Sequence, residues 1–412
     1  VGETVQRIEP RSVREVEEAV GWANAEAKAI AVEGAGGKAQ IGCPFAPDLV
    51  LSLAAMSGVV SYEPSELVLT VLPGTPVAEI EALLEAHGQR LAFEPMDFGP
   101  LFGAAPGRGT LGGMIGANAS GPRRIKAGAA RDHFLGFAGV SGRGEAFKAG
   151  GKVVKNVTGY DLSKLMAGSW GTLAVLTELT FKVMPRPPEA ATLLVVGAPD
   201  GLAARAMSAA LSARAEVTGA AHLPASVAVR APVAAVAAAG GAVTALRIEG
   251  VGPAMTPSAW SVGGALSGLE MVDQLDAEAT ARLWRWIRDA GAFAGDGRQV
   301  WRLSLAPMSG PAAVEAIAGE IRAEAFYDWG GGLVWLACAD DPGAAKWVRG
   351  AAASLGGHAT LVRASPLVRS VIGAFQPEPP ALATLSRRVK AGFDPRGVLN
   401  PGRMWPLTAA EA

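Results

Sequence analysis

The sequence predicts an α+β fold in at least two structural units. Three observations carry that expectation. Residues 1 to about 90 alternate strand-like and helix-like segments, the pattern of a layered α and β core. A run with adjacent prolines, MPRPPE (Met184–Glu189), breaks both kinds of element. Beyond it, to Ala364, a second series of strands and helices supplies a core of its own. A chain of 412 residues exceeds one small core, and with 50% apolar and 18% charged residues it can bury a large one.

The elements follow in order. SVRE (Ser12–Glu15) is a capping box, and Val13, Val16, Val20 and Ala23 continue at helical spacing, so a helix runs close to Ala27. AIAV (Ala29–Val32) is a strand, and DLVLSL and ELVLTVLPG are two more. Thr75 is placed to cap a second helix, with Pro76 at its first position and Gly88 beyond its end. From Gly99 to Gly121 the chain is glycine-rich and almost uncharged, and it reads as a long functional loop, its apolar residues arguing against disorder. FLGFAGV and EAFKAGG flank SGRG as a hairpin. A second glycine-bearing segment, Lys152–Val183, becomes a strand from Leu173. After the proline linker, ATLLVVGA and GLVWLACA read as strands and AEATARLWRWIRDAG as a helix. The alanine-rich stretch Ala203–Ala239 reads as ordinary folded chain rather than low complexity. The tail, Ser386–Trp405, is a short helix followed by a proline-punctuated extended segment.

Composition narrows the function. With 37 basic and 38 acidic residues the net charge is -1, which argues against a nucleic-acid binder. Two distant cysteines, Cys43 and Cys338, fit a reducing, cytoplasmic compartment. They exclude a disulfide framework and an iron–sulfur cluster held by this chain alone. No apolar run approaches the length of a membrane span, and no secretory signal opens the sequence.

VEGAGGKAQIG (Val32–Gly42) poses the functional question. Glycine lets backbone N–H groups approach an oxyanion without a Cβ in the way. Gly34, Gly36 and Gly37 follow a strand, as a phosphate-cradling loop does, and Lys38 can offset pyrophosphate charge; the alternative is an ordinary glycine-rich turn. A Rossmann fingerprint is disfavoured, because the loop runs on into CPFAPDLVLSL rather than opening a helix. LPGT (Leu72–Thr75), GTLGGMIGANASG (Gly109–Gly121) and NVTGYD (Asn156–Asp161) bring further glycine-bearing turns, so several loops converging on one extended ligand is the fuller explanation.

GTLGGMIGANASGPRRIKAGAARDHFLG and KNVTGYDLSKLMAGSWGTLAVLTELTFKV resemble the FAD-binding domain of the vanillyl-alcohol-oxidase/p-cresol-methylhydroxylase type. More narrowly, with FDPRGVLNPGRM at the C-terminus, they resemble the FAD-binding E-type subunits of bacterial glycolate oxidase and their D-lactate dehydrogenase relatives. The resemblance implies a two-subdomain FAD-binding domain over 1–187, a second α+β cap domain over 188–370, and a segment, 371–412, returning to the first. It implies an extended FAD. Gly34, Ala35, Gly36, Gly37 and Lys38 would form the first pyrophosphate loop, with Pro73, Gly74 and Thr75 beside it. Gly112, Gly113, Asn118, Ala119 and Ser120 would line the second side and the ribityl chain. Thr172, Leu173 and Val175 would lie by the adenosine end, and Asn400, Gly402 and Arg403 would approach the ring. Some relatives attach FAD through a histidine in the first glycine loop; Lys38 and no histidine stand here, implying non-covalent FAD.

Catalytic relatives carry a histidine cluster, thought to hold a metal, in the second domain. The four histidines here, His87, His133, His222 and His358, are scattered, and each reads more readily as structural than catalytic; no metal site and no catalytic residue is assigned. Trp170 stands where catalytic relatives more often have glutamate, and Ala174 where they have glycine. Trp284 and Trp286 read as core or interface residues. Arg123 and Arg124 read either as an anion- or partner-contacting pair or as a solvated basic turn, and Lys155 or Lys164 as a charge facing reduced flavin. The resemblance therefore implies a subunit working beside a larger catalytic FAD subunit and an iron–sulfur subunit in oxidation of glycolate to glyoxylate, as electron relay or assembly element. It would meet the inner face of the membrane only through those partners. A self-sufficient D-2-hydroxy-acid dehydrogenase and a non-redox structural subunit are the alternatives.

Overall fold

The computed structural model describes residues 5–151, 159–213, 215–252 and 271–405, together with residues 255, 259, 262, 266 and 269. Ser12 caps the first helix as its sequence requires: its hydroxyl accepts from Glu15 N–H at 3.3 Å, while the Glu15 carboxylate reaches back to Arg11 N–H at 3.0 Å. This helix, α1 (Val13–Glu26), follows β1 (Gln6–Ile8) and leads, through Ala27 in a left-handed conformation, into β2 (Ile30–Glu33). With β3 (Leu49–Ser52) these strands form a parallel sheet in the order β1-β3-β2. Val16, Val20 and Ala23 of α1 pack on it with Leu49 and Leu51.

A five-stranded antiparallel sheet comes next. It contains β4 (Val59–Glu63), β5 (Val68–Val71), β7 (Phe134–Ser141), β8 (Ala146–Gly150) and β9 (Ala174–Lys182), in the order β4-β5-β9-β7-β8. The β7–β8 connection is the hairpin expected at SGRG, closed by Ser141 N–H on Glu145 C=O at 3.0 Å. Helix α2 (Val77–Glu85) is capped by Pro76 rather than by Thr75. The Thr75 hydroxyl is already committed, donating to Leu72 C=O at 2.7 Å and accepting from Gly58 N–H at 2.9 Å.

Two further features depart from the sequence reading. The glycine-rich stretch read as a loop contains a helix, α3 (Leu111–Gly116), whose Thr110 cap accepts from Gly113 N–H. Gly112 N–H donates to Pro73 C=O at 2.8 Å, and a Cβ on Gly112 would stand 2.9 Å from that oxygen. Tertiary approach thus overrides the low helix propensity of three glycines. The proline linker is also paired: β10 (Met184–Pro185) lies antiparallel to β6 (Gln89–Arg90), and Arg186 N–H donates to Gly88 C=O at 2.8 Å.

The remaining strands, β11 (Glu189–Val196), β12 (Val217–Leu223), β13 (Val243–Gly250), β14 (Met271–Leu275), β15 (Gln299–Ser304), β16 (Ala323–Asp328), β17 (Leu333–Cys338) and β18 (His358–Arg363), make one sheet. Its order is β14-β11-β13-β12-β16-β17-β15-β18. The alanine-rich stretch is ordinary folded chain, a helix (Asp200–Ser212) that buries Ala203, Ala206 and Ala210, then β12 and two short turns of helix.

The two lobes share one apolar core, running from Leu69, Phe93 and Phe181 to Leu194, Trp284 and Phe326. Ions close the same seam. Arg247 of β13, 1% exposed, makes two bonds of 2.9 Å to Glu94, and Arg123 and Arg90 both reach Glu249. Burial alone would raise the Glu94 carboxyl, but the Arg247 and Arg123 guanidiniums outweigh it and hold it down to about 2. Arg123 is therefore no solvated turn. The C-terminal segment returns to the first sheet beside β2: Ile30 N–H donates to Val398 C=O at 2.8 Å and Asn400 N–H to Ile30 C=O at 2.9 Å.

Candidate functional site

Where β2 ends, three chain segments are tied together by one side chain. The amide of Asn400, 1% exposed, accepts from Val32 N–H at 2.9 Å and donates to Trp170 C=O at 2.8 Å. This sets the entry to the glycine loop against the Trp170–Gly171 turn and the C-terminal tail. Gly171 must be glycine there, with φ at +69° and Asn400 Nδ2 2.8 Å from any Cβ it could carry. Lys390 braces the same corner, its ammonium donating to Thr172 C=O at 2.7 Å and Leu399 C=O at 2.9 Å.

The result is a groove between the glycine loop, α3 and the tail. Its walls take Gly34, Ala35, Gly36, Gly37 and Lys38 from the loop after β2, Pro73 from the turn before α2, Gly112 and Gly113 from α3, and Arg403 from the tail. Four distant stretches singled out from the sequence thus converge. Gly34 is required by packing, since its Cβ would fall 2.1 Å from Thr110 Oγ1; Gly37 and Gly116 face open space.

Two buried cations face the groove, and the one carboxylate on its wall, Glu33, is already paired with Arg7 at 2.6 Å. Burial, reinforced by neighbouring Arg403 and opposed by Asp97, pushes the Lys38 ammonium down to about 8. It sits over the Phe98 ring with no carboxylate in ion-pair range among the described residues. Burial pushes Arg403 down to about 10, against the opposing pull of Glu33. Its Nη2 donates to Lys38 C=O at 2.7 Å, it lies over the Trp170 indole at 5.5 Å, and its Nε is buried without an acceptor. Two desolvated cations, an orphaned N–H and a floor without side chains are what a dinucleotide diphosphate fits.

Other sequence-picked residues lie elsewhere. Gly74 stands behind the wall, a Cβ there meeting Leu53 C=O at 2.1 Å, and Thr75 is buried beside it. Asn118, Ala119 and Ser120 line an adjoining cavity; the Asn118 and Ser120 oxygens accept from Arg131 N–H and Ala130 N–H. Thr172 is buried, its hydroxyl donating to Ser169 C=O at 2.6 Å. Leu173 joins the main core and Val175 the α1 core, while Ala174 and Leu176 face the groove. Strand alternation decides this, because neighbours on β9 point to opposite faces. Gly402 turns the tail at φ +73° without lining the groove.

Sequence reasoning missed Arg108, Thr110 and Trp170 as groove residues. The GRGT run around Arg108 was the available signal, a cation between glycines. Trp170, at φ +54°, lines both the groove and the adjoining cavity and packs edge-on against Phe375. That cavity also takes Arg302, His358 and Thr360 from the large sheet. Lys164 pairs with Asp161 at 2.7 Å on the surface and lines neither space. Lys155 and residues 156–158 of the NVTGYD turn lie outside the described residues. His87 bonds Leu83 C=O, His133 bonds Ala127 C=O, and fully buried His222 lies between Thr244 and Asp200. Trp284 is a core residue whose Nε1 donates to Thr192 at 2.9 Å.

Comparison with known proteins agrees with this geometry. A family model described as an FAD binding domain matches residues 6–150. By structure, a p-cresol methylhydroxylase with substrate bound superposes with a TM-score of 0.70 at 15% identity, covering 97% of this chain and 88% of that one. A 4-ethylphenol oxidase from Gulosibacter chungangensis gives 0.70 at 14% identity, covering 98% and 91%. The fold is that of the p-cresol-methylhydroxylase-type FAD-binding flavoenzymes, with FAD as cofactor.

Sequence relatives narrow the class. The Escherichia coli (strain K12) protein named glycolate oxidase subunit GlcE is 32% identical over 390 residues, covering 94% of this chain and 96% of its own length. A D-2-hydroxyglutarate dehydrogenase of Xanthomonas citri pv. viticola is 36% identical over 187 residues, covering 45% of this chain and 38% of its own length. The chain belongs to the family of glycolate oxidase subunit GlcE, among the FAD-dependent 2-hydroxy-acid oxidoreductases.

Proposed function

We propose that this chain is the FAD-binding subunit of a multi-subunit glycolate oxidase. In this reading it relays electrons to an iron–sulfur subunit or holds the assembly, while the primary substrate site belongs to a separate catalytic FAD subunit. The observation that carries the reading is similarity along nearly the whole chain to a protein that is by name a glycolate oxidase subunit. Bound FAD supplies a two-electron acceptor that can pass electrons on singly. The chain's own part is to grip and orient it. Backbone N–H groups of Gly36 and Gly37 would face the diphosphate, Lys38 and Arg403 would offset its charge, and Ala174 and Leu176 offer an apolar wall. Asn400 positions the loops without touching the cofactor. The units 1–187 and 188–370 serve as cofactor and cap domains, and the C-terminal segment from 371 reaches the groove through Arg403. Among the described residues no helix is long and apolar enough to cross a membrane. In this reading any contact with the inner membrane face comes through the partner subunits.

A tagged copy expressed with its neighbouring subunits should co-purify with them, with one flavin per chain, and denaturation should release that flavin free. A colourless chain with no affinity for FAD, or one that never captures partners, defeats the reading. One observation favours a second reading, a self-sufficient 2-hydroxy-acid dehydrogenase: Arg302 and His358 face a cavity that meets the groove at Trp170. Purified chain alone, given glycolate or D-lactate and a dye acceptor, then bleaches its flavin and turns over; under the first reading it does not.

A further inference from the structure

Bare apolar side chains stand at the edge of the cavity beside the flavin groove. The stretch Phe375–Pro379 lines that cavity, and in the chain a helix stands on either side of it. On the first, Pro366–Ile372, Val368 is buried, while Leu367 and Val371, one turn apart, are exposed. On the second, Pro380–Phe393, the residues Leu382, Leu385, Val389 and Phe393 recur at helical spacing and make one apolar stripe. Val389 and Phe393 pack on the main core, the Phe393 ring 6.0 Å from that of Phe147. Leu382 and Leu385 continue the stripe but are 48% and 57% exposed. Leu382 is also part of the cavity wall, so the uncovered half of the helix lies at the cavity's edge. The surface around it is cationic. Arg387 and Arg388 are exposed, and among the described residues neither has an ion pair. Residues 364–393 contain one carboxylate, Glu378, which accepts from Ser386 at 3.1 Å.

We propose that the bare half of this helix docks the iron–sulfur partner, through an apolar patch rimmed by carboxylates on that partner. This rests on the reading of the chain as an electron-relaying subunit. Leucines left bare on a stripe that is elsewhere covered mark a contact surface. The two free guanidiniums set the sign of the partner's rim, since opposite charge steers docking and like charge opposes it. Position selects the electron acceptor. The cavity shares Ala117 and Trp170 with the groove, so a protein seated on its edge stands next to the flavin. A membrane surface fits less well. The helix is fastened to the body at Val389, Phe393 and Lys390, whose ammonium donates to Thr172 C=O at 2.7 Å, and its bare leucines border a cavity rather than an open plane.

Photocrosslinking in the co-expressed complex tests the assignment. Leu385→p-benzoylphenylalanine, irradiated in the assembled complex, should give an adduct with the iron–sulfur subunit. Leu385→Glu and Arg388→Glu, each in a tagged full-length chain expressed pairwise with that subunit, should retain at most about a tenth of what the wild type retains, with flavin content unchanged. An adduct with the catalytic FAD subunit, with a second copy of this chain or with lipid overturns the proposal, as does no adduct, or wild-type retention in both variants. Each of those results leaves the subunit reading standing so long as the wild-type chain captures a partner. A wild-type chain that captures neither partner defeats both.

Discussion

Lys38 offers the sharpest test of the groove, because its charge must serve two opposed states. With no ligand its ammonium is pushed down to about 8 by burial. Paired with a diphosphate it should return to the ordinary lysine value of about 10.4. FAD binding then takes up a proton between those values, and affinity must fall as pH rises through 8. At pH 7 about nine-tenths of empty sites are charged and at pH 9 about one-tenth, so affinity should drop about tenfold, or about 1.4 kcal/mol, across that interval. Lys38→Met removes a charge-assisted contact of about 1.5–3 kcal/mol, weakening FAD about 10- to 100-fold at pH 7 and flattening the profile. The sign reverses for the apoprotein. A lysine whose folded value lies below its unfolded one destabilises the fold at low pH, and that penalty disappears as pH rises from 8 to about 10.4. Apo Lys38→Met should therefore be more stable than apo wild type at pH 7, by at most about 3 kcal/mol and less where solvent reaches the side chain. Stripped protein titrated with FAD by fluorescence at pH 7, 8 and 9, with thermal melts of both apoproteins, reads all of this. Wild-type affinity in the variant, or a flat wild-type profile, refutes the placement of Lys38 at the diphosphate.

Three further outcomes follow from the same coordinates. Gly113→Glu should abolish flavin retention, because its Cβ would stand 3.4 Å from Lys38 Nζ and the new carboxylate would take the ammonium in place of the phosphate; a fully yellow preparation contradicts this. Asn400→Ala should cost about 1–3 kcal/mol in chemical denaturation, since Trp170 C=O and Val32 N–H lose their partner, and FAD should bind more weakly as the groove loosens. Glu94→Gln should cost about 3–5 kcal/mol by leaving Arg247 and Arg123 short of charge at the lobe seam. Because Glu94 is held down to about 2, its contribution in the wild type is complete above the usual glutamate range and lost as pH falls from about 4.5 towards 2. Acid melts of wild type should show that loss in full, and melts of the variant a smaller one, because Glu249 is held low by the same arginines in both proteins.

Local signals alone determined much of this protein. The Ser12 cap with its apolar spacing specified α1, and the SGRG turn between two β-rich runs specified the β7–β8 hairpin. Glycine runs following strands marked three of the groove's walls, and the Asn400–Arg403 motif marked the fourth segment. These features act through backbone conformation within a few residues, which is why the chain spells them out. Tertiary structure decided the rest. It made a helix of LGGMIG, because Gly112 can press against Pro73 only without a side chain. Strand phase on β9, and not proximity in sequence, turned Ala174 and Leu176 to the groove and Val175 away from it. Arg123 became a buried ion-pair partner because Glu94 and Glu249 come from segments 29 and 126 residues distant. Arg302 and Arg124, from different lobes, likewise reach one indole, that of Trp329. Charge and exposure belong to the space around a residue, and that space is assembled from parts of the chain that carry no mark of one another.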